Sequence, residues 1–194
     1  MKKLIIALAF AALTLTACGK KDAEPTETQI GSGANGYLTV EGTWAQVGGE
    51  TGKKASYSRK EDNGYTYITF DTIDMSGTDT ALYTLIYTAQ AYRDFYIDEG
   101  LSRLGINGGL QMGKYETSVV TGNFTDGASD GYCATYLFYD EAHNLHLVTV
   151  EGEKEKVKEI EKFTDTYTFD ISNAGGGDTQ SGDSSYDGDF SPYD

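Results

Sequence analysis

Several residue types are scarce in this 194-residue chain, and each scarcity excludes something. There are two cysteines, Cys18 and Cys133, so the chain cannot carry the multiple disulfides that staple small exported folds. There are two histidines, His143 and His146, which is too few for a histidine-rich zinc centre. Basic residues number 15 against 30 acidic ones, giving a formal charge of −15. That field repels nucleic acid phosphates and anionic lipid headgroups, so neither is an expected partner. No GxSxG, P-loop or HExxH pattern occurs, and no Ser/His/Asp order suggests a triad. Proline is confined to Pro25 and Pro192. By contrast there are 15 tyrosines and 24 glycines, a balance that suits a strand-rich domain with aromatic faces and tight turns.

The one long apolar run is at the start. Lys2 and Lys3 precede Leu4 to Leu15, interrupted only by Thr14, and small residues then lead to Cys18. This is the layout of a secretory signal, too short to span a bilayer comfortably. Leu15-Thr16-Ala17-Cys18 resembles the lipobox of bacterial lipoproteins. The resemblance implies cleavage after residue 17, lipid on the Cys18 thiol, and a chain held extracytoplasmically on a bacterial membrane. Loss of residues 1–17 removes Lys2 and Lys3, which makes the mature chain more acidic still. With Cys18 acylated, Cys133 is left with no disulfide partner and reads as a small buried hydrophobe.

Residues 18–36 are polar and aperiodic, and they read as a lipidated N-terminus followed by a flexible tether. Gly31 to Gly36 spells GxGxxG, but a dinucleotide fingerprint needs a strand before it and a helix after it. Here a tether precedes and a strand follows, so the match is set aside. The globular domain is expected over residues 37–172. Tyr37 to Val47 alternates, with Leu38, Val40 and Trp44 on one face, and Lys53 to Lys60 is a weaker strand. Asn63-Gly64 is a strong type I′ hairpin signal before the strand Tyr65 to Ile73.

Thr80 to Leu104 carries a helical stripe of Leu82, Leu85, Ile86, Ala89, Tyr92 and Tyr96, continued by Leu101 and Leu104. Its LYTLIYT segment is also strand-favouring; a helix, capped by Thr78 or Asp79, is the preferred reading. Gly105 to Gly109 ends that element. Lys114 to Thr121 is a strand, Asn123 to Gly131 a loop, and Tyr132 to Tyr139 a central strand apolar on both faces. Asp140 to Asn144 turns the chain into the strand Leu145 to Val150. Glu153 to Lys162 reads as a helix with Val157 and Ile160 inward, and Phe163 to Ile171 alternates as a closing strand. Residues 173–194 form an acidic Gly/Ser-rich tail expected to be disordered. The fold class is therefore mainly β with minor α: an antiparallel sheet or barrel-like domain carrying one or two helices.

Three constellations are candidates for chemistry. Gly42-Thr43-Trp44 resembles the GxW motif of lipocalins, which implies a barrel with a small-ligand pocket; a tryptophan filling an unrelated β core is the commoner case. His143 and His146 are three apart across a turn, which points the rings apart, so both read as surface hairpin residues with no metal. In the tail, Asp183, Ser185, Asp187, Gly188 and Asp194 match an EF-hand spacing as in dockerin loops, but Pro192 falls inside the loop and no exiting helix follows. The acidic residues otherwise read as a solvated face. The expected function is a membrane-anchored extracytoplasmic lipoprotein, non-enzymatic and without cofactor, that binds a small ligand, glycan or envelope partner. The alternative is a structural or protein-interaction lipoprotein with no ligand pocket.

Cys18→Ser is expected to abolish lipidation and membrane retention while leaving the domain folded. Detergent partitioning and labelling with a fatty-acid analogue check this; retention of the variant at the parent level contradicts it.

Overall fold

The computed structural model describes residues 26–49, 54–75, 84–126 and 129–170. In chain order the elements are β1 (Glu27–Ser32), β2 (Gly36–Glu41), β3 (Trp44–Gly48), β4 (Lys54–Arg59), β5 (Tyr67–Ile73), α1 (Leu85–Asp98), β6 (Ser102–Met112), β7 (Tyr115–Asp126), β8 (Ser129–Tyr139), β9 (Leu145–Gly152) and α2 (Lys154–Glu161). Seven strands form one antiparallel sheet in the order β3-β4-β5-β9-β8-β7-β6, and β1 and β2 form a separate hairpin. The class is mainly β with two helices. The sheet is open, with β3 and β6 at its edges, so the barrel implied by the GxW resemblance does not form. No helix among the described residues is long and apolar enough to cross a membrane.

Strand alternation sorts the side chains onto two faces. Ile68, Phe70, Ala134, Tyr136, Phe138, Val148 and Val150 point to one face, where the β1–β2 hairpin, α2, Tyr167 and Phe169 cover them. Val120, Cys133, Leu137, Leu145 and Leu147 point to the other, under Ala89 and Tyr96 of α1. β8 is buried on both faces, as its apolar composition requires. Asn63 and Gly64 both take positive φ, 60° and 77°, in the turn joining β4 to β5.

In its elements the structure departs from the sequence reading at six places. Residues 27–32 are a strand rather than tether: Ile30 is buried, and it pairs with Leu38 across the hairpin. The GxGxxG match is thus a hairpin turn between two strands. The expected strand Tyr37 to Val47 is broken at Gly42 (φ 102°) into β2 and β3, yet Leu38, Val40 and Trp44 still enter one core. The helix is α1, but the stripe does not run on: Leu101 and Leu104 belong to the approach and start of β6 and meet the helix from the sheet side. Ile86 lies on the exposed side of α1, and Leu82, Thr78 and Asp79 lie outside the described residues.

Gly105 to Gly109 lies inside β6, where two register shifts absorb the glycines at a sheet edge. Most of the expected loop Asn123 to Gly131 is ladder, with Asn123 opposite Tyr132 and Phe124 opposite Gly131. The closing segment is not a strand of the sheet. Thr164–Thr166 forms a 3-10 turn, in which Thr166 N–H donates to Phe163 O (3.0 Å) and the single proton of the Thr166 hydroxyl is shared between Phe163 O (2.7 Å) and Thr39 O (2.9 Å). Only one bridge follows, between Tyr37 and Thr168, but the alternation still places Tyr167 and Phe169 inside. The tail, with its calcium-loop match, lies outside the described residues, as does Cys18.

Trp44 is 8% exposed and packs with Leu38, Val40 and Val157, its indole N–H donating to Glu41 O at 3.1 Å. Trp44→Ala is expected to cost about 3–5 kcal/mol of stability and Trp44→Phe much less. Urea denaturation measures both. Ready acrylamide quenching of the folded parent's tryptophan contradicts the core placement.

Candidate functional site

An open concavity lies where α1 ends. The last turn of the helix closes on a Schellman motif: Gly100 N–H donates to Ile97 O (3.0 Å) and Leu101 N–H to Tyr96 O (2.9 Å). Gly100 takes φ 83°, where an L side chain costs about 1–2 kcal/mol. The motif brings Phe95, Tyr96, Glu99 and Leu101 to one end of the helix, over the sheet. Below them, Phe124 of β7 and Glu151 of β9 complete an open cleft of about 280 Å³.

A missing side chain makes room for the floor. A Cβ at Gly131 would stand 2.2 Å from the Phe124 ring, so the ring lies directly on the β8 backbone. Glu151 is opposite Cys133 in the ladder and shares its face of the sheet. Tyr96 is anchored by a short hydrogen bond between its hydroxyl and that of Thr135, which meets Thr149 Oγ1 at 2.9 Å. Its ring packs edge-on against Tyr92 (5.6 Å) and tilted against Phe95 (5.9 Å).

The electrostatics of this end of the sheet are set by burial. Burial pushes the Glu151 carboxyl above its usual range, with Lys54 pulling it back, and no ion pair or hydrogen bond among the described residues engages it. Asp71, two strands from β8 on the same face, is raised in the same way and lies 3.9 Å from Lys54 Nζ. Burial, and then the neighbouring Asp71, pushes Tyr92 up to about 12. Burial and Glu151 push the Cys133 thiol up to about 11, so it is an inert thiol at neutral pH. Among the described residues no group of three or more metal-ligating side chains converges.

The two histidines separate. His143 is exposed in the β8–β9 turn at φ 63°, as expected. His146 is not a surface residue: it is 1% exposed, stacked on Phe138 at 5.2 Å and edge-on to Phe169 at 4.5 Å. The spacing of three puts His146 one residue into β9, and strand alternation turns it inward. Its Nε2 meets Asp140 Oδ2 at 3.1 Å and its Nδ1 meets Thr72 Oγ1 at 3.3 Å. Asp140 also accepts from the backbone N–H groups of Ala142 and Asn144 and from the Asn144 amide. With imidazole neutral, Nε2–H donates to Asp140 and Nδ1 accepts from Thr72, which satisfies every group. This cluster ties the turn to β5 and the closing segment.

The sequence reading misses Phe95, Glu99, Phe124 and Glu151: it singles out neither Phe95 nor Glu99 in the helical stripe, puts Phe124 in a loop and ends the last strand of the sheet at Val150. The available signal was the pair of mid-strand glycines, Gly122 and Gly131, which leave space for neighbouring side chains.

No family model matches the chain, and no curated protein matches it. Among solved structures, one from Bacteroides thetaiotaomicron VPI-5482 aligns with a TM-score of 0.49 and 11% identity, covering 73% of this chain and 47% of that one. The chain thus spans about half the length of that protein. The cyanobacterial PsbP (CyanoP) of Synechocystis sp. PCC 6803 aligns with a TM-score of 0.48 and 11% identity, covering 80% of this chain and 99% of that one. Likeness at this level assigns no function.

The buried histidine makes the fold acid-sensitive. Burial lowers the His146 pKa from 6.5, outweighing the Asp140 carboxylate. For Asp140, burial acts upward, but Asn144 and His146 hold it below 3.8. Both groups bind protons more readily in the unfolded chain, so their contribution is full above the unfolded values and is lost as pH falls. Asp71 and Glu151, raised by burial, act in the opposite sense. The difference between parent and His146→Gln therefore isolates the imidazole. The parent is expected to lose more stability than the variant between about pH 7 and pH 5, read by urea titration. Parallel curves contradict the assignment.

Proposed function

We propose that this chain is a membrane-anchored extracytoplasmic lipoprotein whose β domain is a binding module for a small ligand. The anchor is the lipidated Cys18, and the polar residues before Glu27 separate it from the domain. The observation that carries the binding reading is the open cleft at the end of α1, walled by Phe95, Tyr96, Leu101 and Phe124 and edged by Glu99 and Glu151. Aromatic walls supply apolar contact with little loss of side-chain freedom, and a few polar groups orient the occupant. The reading assigns no catalysis, since binding needs only shape and polarity from these groups.

A second reading, a structural or protein-interaction lipoprotein, is favoured by Tyr67 and Ile73. Both are on the α1 side of β5, about two-fifths exposed, beyond the strands that α1 covers. A flat face with exposed aromatic and aliphatic side chains suits a protein partner better than a small molecule.

Ligand-detected NMR with a mixed set of glycans, short peptides and small apolar or charged fragments separates the two. Hits are expected to perturb Phe95 and Phe124 and to lose at least about tenfold in affinity in Phe95→Ala, at a side chain that is 40% exposed, with urea denaturation checking that the variant is folded. Hits that instead perturb Tyr67 and Ile73 support the second reading. Silence at the cleft across the whole set contradicts the first.

A further inference from the structure

The lining of the cleft is selective in its chemistry. Its six residues include two carboxylates, three aromatic rings and a leucine, and no lysine, arginine or histidine. The one side-chain donor, the Tyr96 hydroxyl, is already engaged with Thr135. What remains is a set of acceptors and π-faces. An anion finds no partner there. A neutral sugar, whose hydroxyls both donate and accept, finds carboxylate acceptors there but no free side-chain donor.

Three further features point the same way. The negative end of the α1 dipole closes the cleft, and the last turn contains no basic residue to neutralise it. Asp98 and Glu99 stand at this end instead, while Asp94 is paired with Arg93 at 3.4 Å. Glu151 is half-buried on the floor next to Tyr96 and Cys133, with no hydrogen bond or ion pair among the described residues, and Lys54, outside the cleft lining, offsets its charge only from a distance. Aromatic faces attract cations through the ring quadrupole, and three rings line the same space.

We propose that the cleft binds a small organic cation: a protonated or quaternary amine on an aromatic or alkyl body, its nitrogen against Glu151 and Glu99 and its body between Phe95 and Phe124. This rests on the small-ligand reading above and adds the ligand class. The cation gives Glu151 a direct partner inside the cleft, while the apolar body replaces water against Leu101 and the rings.

The test titrates the full chain with 2-phenylethylamine, with its neutral isostere 2-phenylethanol, and with a neutral glucose trisaccharide, following aromatic resonances by NMR. The amine is expected to shift Phe95, Tyr96 and Phe124 and to bind at least about tenfold tighter than the alcohol. Glu151→Gln is expected to erase that preference. Glu99→Gln, at an exposed position that folding does not need, is expected to reduce it about two- to threefold. Gly131→Ala drives Phe124 off its seat and is expected to weaken amine and alcohol alike. Equal binding of amine and alcohol in the parent overturns the inference and leaves the small-ligand reading standing, as does tighter binding of the trisaccharide. No response to any of the three overturns the inference; only silence across the wider probe set takes the binding reading with it.

Discussion

Along β8, Cys133, Thr135 and Leu137 are buried on the α1 side, while Ala134, Tyr136 and Phe138 are buried on the side of the hairpin and α2. A strand with no wettable face forces the sheet to be covered twice. The two covers are unlike. One is a composite of the β1–β2 hairpin, α2 and the closing segment around Tyr167 and Phe169, and it fills its face with large side chains. The other is a single helix, α1, which lies over β6, β7 and β8 and leaves β5 and β9 partly open.

That asymmetry accounts for where the molecule keeps its polar groups. On the filled side, Tyr167 donates to Asn35 O at 2.8 Å, and Asp140, His146 and Thr72 form a closed cluster. On the helix side, a row of hydroxyls from Ser56, Thr69, Thr149 and Thr135 crosses four strands under or beside α1, with Asp71 and Glu151 flanking it. Carboxylates there are desolvated without being directly paired with the helix. The cleft is the end of this half-covered face, where the helix stops and Gly131 lets Phe124 lie flat.

Much of this was legible in the sequence wherever one physical rule acted alone. Asn63-Gly64 fixed a hairpin because positive φ at two successive positions admits few alternatives. The inward stripe of α2 and the two-sided burial of Tyr132 to Tyr139 followed from periodicity. Legibility failed where two rules competed. Glycines in β6 look like punctuation, but bulges at an edge strand accommodate them. Ile30 is one apolar residue in a polar segment, and only pairing with β2 gives it a buried face. The alternation from Phe163 to Phe169 correctly gave the buried side chains while misassigning the backbone, because threonine hydroxyls drew the chain into a turn. His146 looked exposed beside a turn, although alternation along β9 alone would have turned it inward. The cleft was hidden because its six residues come from three separated segments, joined only by strand pairing and the end of α1.

The double cover is tested most directly at Cys133, the thiol that remains once Cys18 is replaced by serine. It is 1% exposed on the α1 face, one position across the ladder from Glu151. Thiol labelling of the native Cys18→Ser chain, followed against urea concentration, measures how that face opens. If α1 seals β8 as described, labelling proceeds at the rate of global unfolding and accelerates with urea along the unfolding curve. Rapid labelling without denaturant, independent of stability, would mean that the helix does not cover the strand.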